Sequence, residues 1–275
     1  MIEIPEAAAL AVQLNETARG RTITRARAAH SPHKFAWYQG DPAGYPALLE
    51  GRVIERAYPL GGTLEIQAGD ARLALSEGIR LAWHPAGAAR PERHQLLLEF
   101  DDGSALSAVV QMYGGLLCFR DGQADNPYYL GAKAKPSPLL EAFDRAYFDA
   151  LIAAQTVRRL SAKALLATEQ RVPGLGNGVL QDILFNAGLH PKRSLESFTA
   201  ADLEQLYGAL KRTLAEMAAQ GGRDTETDLF GRAGGYATRC SKFTLGKPCA
   251  RCGTPIVKSG YMGGSIYFCP ACQPL

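Results

Sequence analysis

Two C-x-x-C knuckles, Cys249-Ala250-Arg251-Cys252 and Cys269-Pro270-Ala271-Cys272, close the chain with sixteen residues between them. Each knuckle can bend around one tetrahedral metal ion, and a span of that length lets a short hairpin carry the second pair back to the first. The spacing therefore predicts a Zn²⁺ ribbon with Cys249, Cys252, Cys269 and Cys272 as ligands. The segment is too short to build an apolar core, so bound metal would supply most of its folding free energy. Two disulfides are the competing use of such pairs; the regular spacing and the lack of an export signal favour the metal. The remaining thiols, Cys118 and Cys240, have no activating neighbour in sequence and read as small buried hydrophobes.

Charge is polarised along the chain. After Asp228 there is no acidic residue, while Arg232, Arg239, Lys242, Lys247, Arg251 and Lys258 are basic. Residues 155–275 hold 15 basic and 9 acidic side chains against 15 and 18 in residues 1–154, although the whole chain carries only +3. That asymmetry is the electrostatic footprint of a nucleic-acid binder. With 275 residues and 47% hydrophobic content the chain can bury two cores besides the ribbon. No apolar run approaches the roughly 20 residues that span a bilayer, so no membrane partner is expected and the cytoplasm is the expected compartment.

Local patterns divide the sequence into an α+β multidomain arrangement. Pro5, the apolar stretch Ala7 to Leu14 and a stop at Arg19-Gly20 predict a leading helix. Residues 63–67, 72–76 and 94–100 are short, apolar-rich and separated by turn signals such as Asp102-Gly103, which predicts an antiparallel sandwich or barrel over residues 1–130. Residues 131–138 (Gly-Ala-Lys-Ala-Lys-Pro-Ser-Pro) read as a linker. Helical periodicity then covers Leu139 to Ala154, Ser161 to Thr168, Asn177 to Ala187 and Asp202 to Ala219, with Thr199 and Asp202 spaced as a capping box, giving a helical domain over 139–230 and the ribbon segment over 231–275.

Between two of these helices lies Val172-Pro173-Gly174-Leu175-Gly176-Asn177. Gly174 and Gly176 permit close backbone approach, and Asn177 can cap the following helix or turn its amide toward an anion. A helix N-terminus with free N–H groups suits a phosphate, and Lys163, one helix upstream, could add charge to the same site.

The acidic start Glu3-Ile4-Pro5-Glu6, the β-rich first half, Gly174-Leu175-Gly176-Asn177, Ala187-Gly188-Leu189-His190-Pro191, Gln220-Gly221-Gly222 and the ribbon opening Pro248-Cys249-Ala250-Arg251-Cys252-Gly253-Thr254-Pro255-Ile256 together resemble the formamidopyrimidine-DNA glycosylase and endonuclease VIII family. The order of these elements matches along nearly the whole chain. The resemblance implies an N-terminal β-sandwich with a leading helix, a helical domain with a helix–two-turn–helix element, and a zinc ribbon, clamped around duplex or damaged DNA. It implies that Asn177 and Lys163 grip phosphate, that Glu3, with Glu6 beside it, assists sugar opening as an acid, and that a loop at Val109 to Gly114 fills the space left by an extruded base, with Tyr113 as wedge.

The departures concern the chemistry. The family's nucleophile is a proline directly after the initiator methionine, and here that position is Ile2, behind which Met1 is expected to remain. The positions of two phosphate-binding side chains fall at Gly62 and Gly264, and the void-filling loop carries no arginine. The expectation is a DNA-binding protein that has lost the imine-forming glycosylase and lyase reaction. Two alternatives stand beside it: a repair glycosylase using Glu3 and water or the Met1 amine, and a non-enzymatic binder of structured RNA or a ribonucleoprotein. His190 and Pro191 read as structural.

Overall fold

Pro5 presets φ for helix entry, and Ala7, Leu10, Ala11 and Leu14 recur at helical spacing. In the computed structural model, which describes all 275 residues, they form the buried face of helix α1 (Ile4–Thr17). Burying each leucine on that face stabilises the fold by about 1.5–3 kcal/mol relative to exposure. Glu6 closes the first turn by accepting the Glu3 backbone N–H at 3.2 Å.

Nine strands follow: β1 (Ile23–Ala28), β2 (Ala36–Tyr38) and, after the short helix α2 (Tyr45–Leu49), β3 (Ile54–Leu60), β4 (Thr63–Ala68), β5 (Ala71–Ser76), β6 (Ile79–His84), β7 (Leu96–Phe100), β8 (Ala105–Val110) and β9 (Gly114–Arg120). They make two sheets, ordered β1-β7-β8-β6 and β2-β9-β5-β4-β3, and only the β2–β9 pair is parallel. Leu64, Ile66, Leu73, Leu75 and Leu116 of one sheet meet Leu81, Leu96, Leu98 and Leu106 of the other in one cluster that also takes the α1 face. Period-2 alternation sends these side chains inward from both sheets, and the result is a sandwich and not a closed barrel.

The outer face of the five-stranded sheet is covered as well. Asn126 caps helix α3 (Pro127–Ala134) by accepting the N–H groups of Tyr128 at 3.0 Å and Tyr129 at 3.1 Å. Tyr129 then packs with Ala74, Leu117 and Phe119, its ring meeting Phe119 edge-on at 5.0 Å and its hydroxyl donating to the Glu65 carboxylate. The helix runs into the stretch read from sequence as a linker. Eight residues do not hold a helix by themselves in water, so the docked tyrosine supplies what the glycine- and lysine-bearing sequence lacks.

A second core gathers helices α4 (Arg145–Ala153), α5 (Gln155–Arg158), α6 (Ala162–Ala167), α7 (Val179–Ala187) and α8 (Ala200–Ala219). The helix expected from Leu139 starts only at Arg145, because Asp144 takes the capping position and accepts the Tyr147 N–H at 2.7 Å. At α8 the reciprocal cap is formed: Thr199 Oγ1 accepts from Asp202 N–H at 3.1 Å and Asp202 Oδ2 from Thr199 N–H at 2.8 Å. Helix α7 stops at Gly188, which adopts the left-handed conformation at φ 70°.

The C-terminal hairpin of β10 (Val257–Tyr261) and β11 (Gly264–Phe268) turns through Met262 and Gly263, both at positive φ, as a two-residue hairpin turn requires. Two side chains fasten this segment to α7. The buried carboxylate of Asp182 accepts the N–H groups of Arg239 and Cys240, each at 2.8 Å. Arg251 donates to the Phe185 carbonyl at 2.8 Å with its guanidinium carbon 4.5 Å from the centre of the Phe185 ring. His190 likewise has a local use, its Nδ1 accepting the Lys192 N–H at 3.1 Å and its ring packed edge-on to Phe268.

At the other end of the chain, Ile2 is buried in the sandwich cluster and Ile4 in the helical cluster. Glu3, between them, is thereby held in the seam where the two cores meet.

Candidate nucleic-acid interface

The N-terminal segment anchors the seam. Glu3 is 3% exposed, and its two carboxylate oxygens accept the N–H groups of Gly178 at 2.9 Å and Val179 at 2.8 Å, the free donors at the start of α7. Arg223, 2% exposed, lies 3.6 Å from Glu3 and grips Glu6 through Nε at 2.9 Å and Nη2 at 2.8 Å, while its backbone N–H adds a third bond to Glu6 at 3.1 Å. The two carboxyl groups respond in opposite directions. Burial pushes Glu3 above its ordinary value, against the pull of Arg223 and the two N–H donors. Burial pushes Glu6 the same way, but the charge and the paired hydrogen bonds of Arg223 outweigh it and hold Glu6 low. The difference follows from geometry, since Glu6 has the close two-pronged contact and Glu3 only the longer one.

Met1 and Ile2 complete this corner. The Met1 amine forms an ion pair with Glu226, and Ile2 donates its backbone N–H to the Glu77 carbonyl at 2.7 Å. A cavity of about 440 Å³ opens beside them, lined by Met1, Ile2, Glu6, Gln111 and Glu226 among others.

Gly174 and Gly176 serve close packing. Gly174 sits at φ 77°, and a Cβ there would overlap the backbone nitrogen of Gly62. A Cβ on Gly62 would lie 2.7 Å from the Gly174 Cα. The β3–β4 turn and the turn before α7 therefore touch backbone to backbone, and the Gly174 carbonyl accepts the Ile4 N–H at 3.1 Å. A Cβ on Gly176 would come within 2.7 Å of the Glu3 carboxyl. Both glycines were expected at a phosphate; the structure turns them toward Gly62 and Glu3, which explains their lack of side chains without any ligand.

Lys163 and Asn177, by contrast, are brought together at the tip of the ribbon. Lys163 Nζ donates to the Tyr261 carbonyl at 2.8 Å and Asn177 Nδ2 to the Ser265 carbonyl at 2.8 Å. Gln181, one turn into α7, braces the same strand by donating to Ser265 at 3.1 Å and accepting the Tyr267 N–H at 3.1 Å. Gly264 makes the junction close, since a Cβ there would lie 3.3 Å from Lys163 Nζ and 3.7 Å from the Asn177 amide. The buried Asn177 Oδ1 has no partner. Burial lowers the Lys163 pKa. Each residue thus spends one donor on the hairpin, and an ammonium and an amide retain others for an anion.

Tyr113 lies in the β8–β9 loop beside Trp37, the ring centres 5.9 Å apart at 50°. Its pKa is raised by burial and by the nearby carboxylates of Glu77 and Glu3. The loop is tight, because Gly78 faces the Tyr113 backbone with no room for a Cβ.

The ribbon cysteines converge. The Sγ atoms of Cys249, Cys252, Cys269 and Cys272 all lie within 4.8 Å of one another, with Cys249 to Cys272 at 3.9 Å and Cys252 to Cys269 at 3.4 Å. A tetrahedron of thiolates about 2.3 Å from Zn²⁺ places its sulfurs about 3.8 Å apart, so this donor set fits that ion. Bound there, the ion would act as a structural cross-link. Elemental analysis of the purified protein is expected to give one zinc per chain. Changing any one ligand to serine is expected to abolish metal binding and the amide protection of β10 and β11 while the Phe143 and Leu64 cores keep theirs; a metal-free native protein would overturn this.

Arg223, Gln181 and Glu226 were not singled out in sequence. Glu6 and Arg223 are 217 positions apart, and no local pattern pairs residues at that distance. The one available cue was Arg223 directly after the Gly221-Gly222 helix stop.

No family model matches the chain. Among curated proteins it is 31% identical to a formamidopyrimidine-DNA glycosylase of Symbiobacterium thermophilum over 285 residues, covering 100% of this chain and 90% of that protein. It is 31% identical to one from a Nocardioides species, covering 100% and 95%. The crystal structure of the MutM (Fpg) protein of Thermus thermophilus superposes with a TM-score of 0.81 over 98% of both chains at 27% identity. The fold is also that of Lactococcus lactis Fpg in complex with abasic-site DNA, with a TM-score of 0.83 at 23% identity over 99% of this chain and 100% of that one. No helix of the structure is long and apolar enough to cross a membrane.

Proposed function

We propose that this chain, which belongs to the formamidopyrimidine-DNA glycosylase family, grips duplex or damaged DNA through the Lys163–Asn177 corner and the basic ribbon but no longer performs the imine-forming glycosylase and lyase reaction. The observation that carries this reading is the N-terminus. Position 2 holds a core isoleucine bonded through its N–H to the Glu77 carbonyl, and the Met1 amine is engaged by Glu226. Gly62 leaves no space for the lysine that the resemblance places there. Water activation by Glu3 is also disfavoured, because each of its oxygens already accepts a backbone N–H and the group is almost fully enclosed. Glu3 and Glu6 then act together as a seam that fixes the two halves of the clamp relative to one another.

For binding, Lys163 supplies charge and Asn177 a directed amide to one phosphate, contacts that position a duplex without reading its sequence. Lys163→Ala is expected to weaken duplex binding equally across sequences and to lower the slope of log K against log salt by about 0.9. Asn177→Ala should weaken binding with the slope unchanged. Anisotropy titrations over a salt series measure both, with structured RNA as competitor. Unaltered affinity in both variants, or RNA displacing duplex at equal concentration, would sink the proposal.

A further inference from the structure

The chain between β1 and β2 is fastened to the residues that enter β7. Ala29 donates its N–H to the Gln95 carbonyl at 2.8 Å and Ser31 to the His94 carbonyl at 3.0 Å. In return Ser31 accepts the His94 N–H on Oγ at 3.2 Å and the Gln95 side-chain amide on its carbonyl at 2.9 Å. Ala29 is held at φ 53°, a left-handed conformation that costs a residue with a Cβ, so the segment depends on these bonds to keep its path. Two imidazole rings lie over them. His30 stacks on His94 with the ring centres 4.5 Å apart and the planes 16° from parallel.

His94 is 2% exposed, and its tautomer is fixed by its partner. Nδ1 lies 2.9 Å from the Pro91 carbonyl, which can only accept, so Nδ1 carries the hydrogen and Nε2 the lone pair. Nε2 is buried and nothing bonds to it. A second proton would therefore create an enclosed N–H without an acceptor, pressed against another imidazole. The charges around the ring do not compensate: Arg27 of β1 repels a cation there, and Glu99 of β7 is already shared by Arg25 at 3.9 Å and Arg90 at 3.6 Å. Burial, with His30 and Arg27 behind it, holds the His94 pKa below its ordinary value against the opposing pull of Pro91 and Glu99.

We propose that the His30–His94 stack is a pH-sensitive latch, which pins residues 29–35 while His94 is neutral and releases them when it is protonated, loosening the edge of the DNA cleft to which they lead. The segment runs directly into β2, which is three residues long and held on one side only, by its parallel pairing with β9. Trp37 of β2 stands against Tyr113, so the latch sets where that strand meets the β8–β9 loop. This last consequence rests on the DNA-binding reading above. The sign follows from the direction of the His94 shift: in the open segment the ring titrates near the ordinary value of about 6.5, so the latch is closed above that pH and weakens as pH falls from there toward the lower closed-state pKa.

Hydrogen exchange on the full-length protein tests the latch. Protection factors at the Ala29 and Ser31 amides, corrected for intrinsic exchange rates, are expected to stay level above neutral pH and to fall below about pH 6.5 with a limiting slope of about ten-fold per pH unit, the mark of one proton taken up on opening. The β5 amides should remain the better protected at every pH, because the opening is local. His94→Phe keeps a stacking ring but has no titrating nitrogen, and its Ala29 and Ser31 protection is expected to stay level down to pH 5. His30→Phe, a change at an exposed position, should keep the fall because His94 still titrates. Duplex affinity at one ionic strength is expected to drop more between pH 7 and pH 5 in wild type than in His94→Phe. Level protection in wild type, a fall that persists in His94→Phe or one that vanishes in His30→Phe overturns the latch. Equal responses of duplex affinity in wild type and His94→Phe overturn its link to the cleft. Failure of wild type to bind duplex at pH 7 overturns the DNA-binding reading instead, and the exchange measurement still decides the latch.

Discussion

Mixed with abasic or oxidised duplex DNA and borohydride, the purified protein is expected to yield no trapped covalent adduct. Imine formation needs an amine aligned with the sugar C1′, and on the function proposed above the chain holds none in that place. The Met1 amine is displaced by one residue, up to about 3.8 Å along the chain, and a misplacement of only about 1 Å can cost a hundred-fold in rate. It is also held in an ion pair with Glu226. Intact-mass measurement is expected to show Met1 retained. Ile2→Pro should not restore full activity: it puts a smaller ring in a buried core position and leaves position 62 without the charge that the resemblance places there. An adduct that maps to the Met1 amine would return the protein to the enzymes of its family.

Arg223→Met is expected to destabilise the protein by about 3–5 kcal/mol at neutral pH, the usual result of stranding buried charges without their partner. Here one guanidinium serves two enclosed carboxylates, so both Glu3 and Glu6 would lose it. The pH dependence between pH 7 and pH 5 should change with it. In wild type the folded-state pKa of Glu6 lies below the unfolded value of about 4.3, so its stabilising contribution is complete above that pH and is lost as pH falls through the folded pKa. Glu3 is shifted upward and opposes this in part, since a carboxyl raised on folding takes up its proton more readily in the native state. Without Arg223, desolvation is left to act on both groups, and acidification from neutral toward pH 5 should then stabilise the variant. Urea unfolding of both proteins at pH 7 and pH 5 compares them: over that range Glu6 contributes no change in wild type and a gain on acidification in the variant. Loss of stability on acidification in Arg223→Met would show that the two carboxylates are paired elsewhere. Adding Glu6→Gln to Arg223→Met should recover part of the loss by removing one stranded charge.

What was legible in the sequence was what short-range geometry dictates. The C-x-x-C spacing settles which four sulfurs can share a metal, because two intervening residues suffice to turn a knuckle. The Thr199 and Asp202 pair caps α8 as its three-residue offset requires, and Gly188 ends α7 because the left-handed stop favours a residue without a Cβ. Strand alternation similarly fixed two apolar faces but left sandwich and barrel open, since the pattern along one strand does not say which neighbours pair with it. The family likeness rested on the order of such local marks and holds at the level of the whole fold.

Tertiary structure decided where the charges and glycines act. Glu3 and Glu6 were visible near a helix start, yet their partner Arg223 arrives from beyond α8, and only packing of Ile2 and Ile4 into different cores forces the carboxylates into its reach. The glycines at 174 and 176 also meet neighbours that the turn's own sequence does not show, since Gly62 and Glu3 come from the other half of the chain. Residues 131–134 looked like linker because helix α3 depends on Tyr129 reaching Phe119 and Glu65, contacts absent from the local sequence. Local residues set the turns, caps and metal knuckle; burial of an apolar chain around two cores determined which distant polar groups had to meet at the seam, because an unpaired charge there would cost more than the seam could bear.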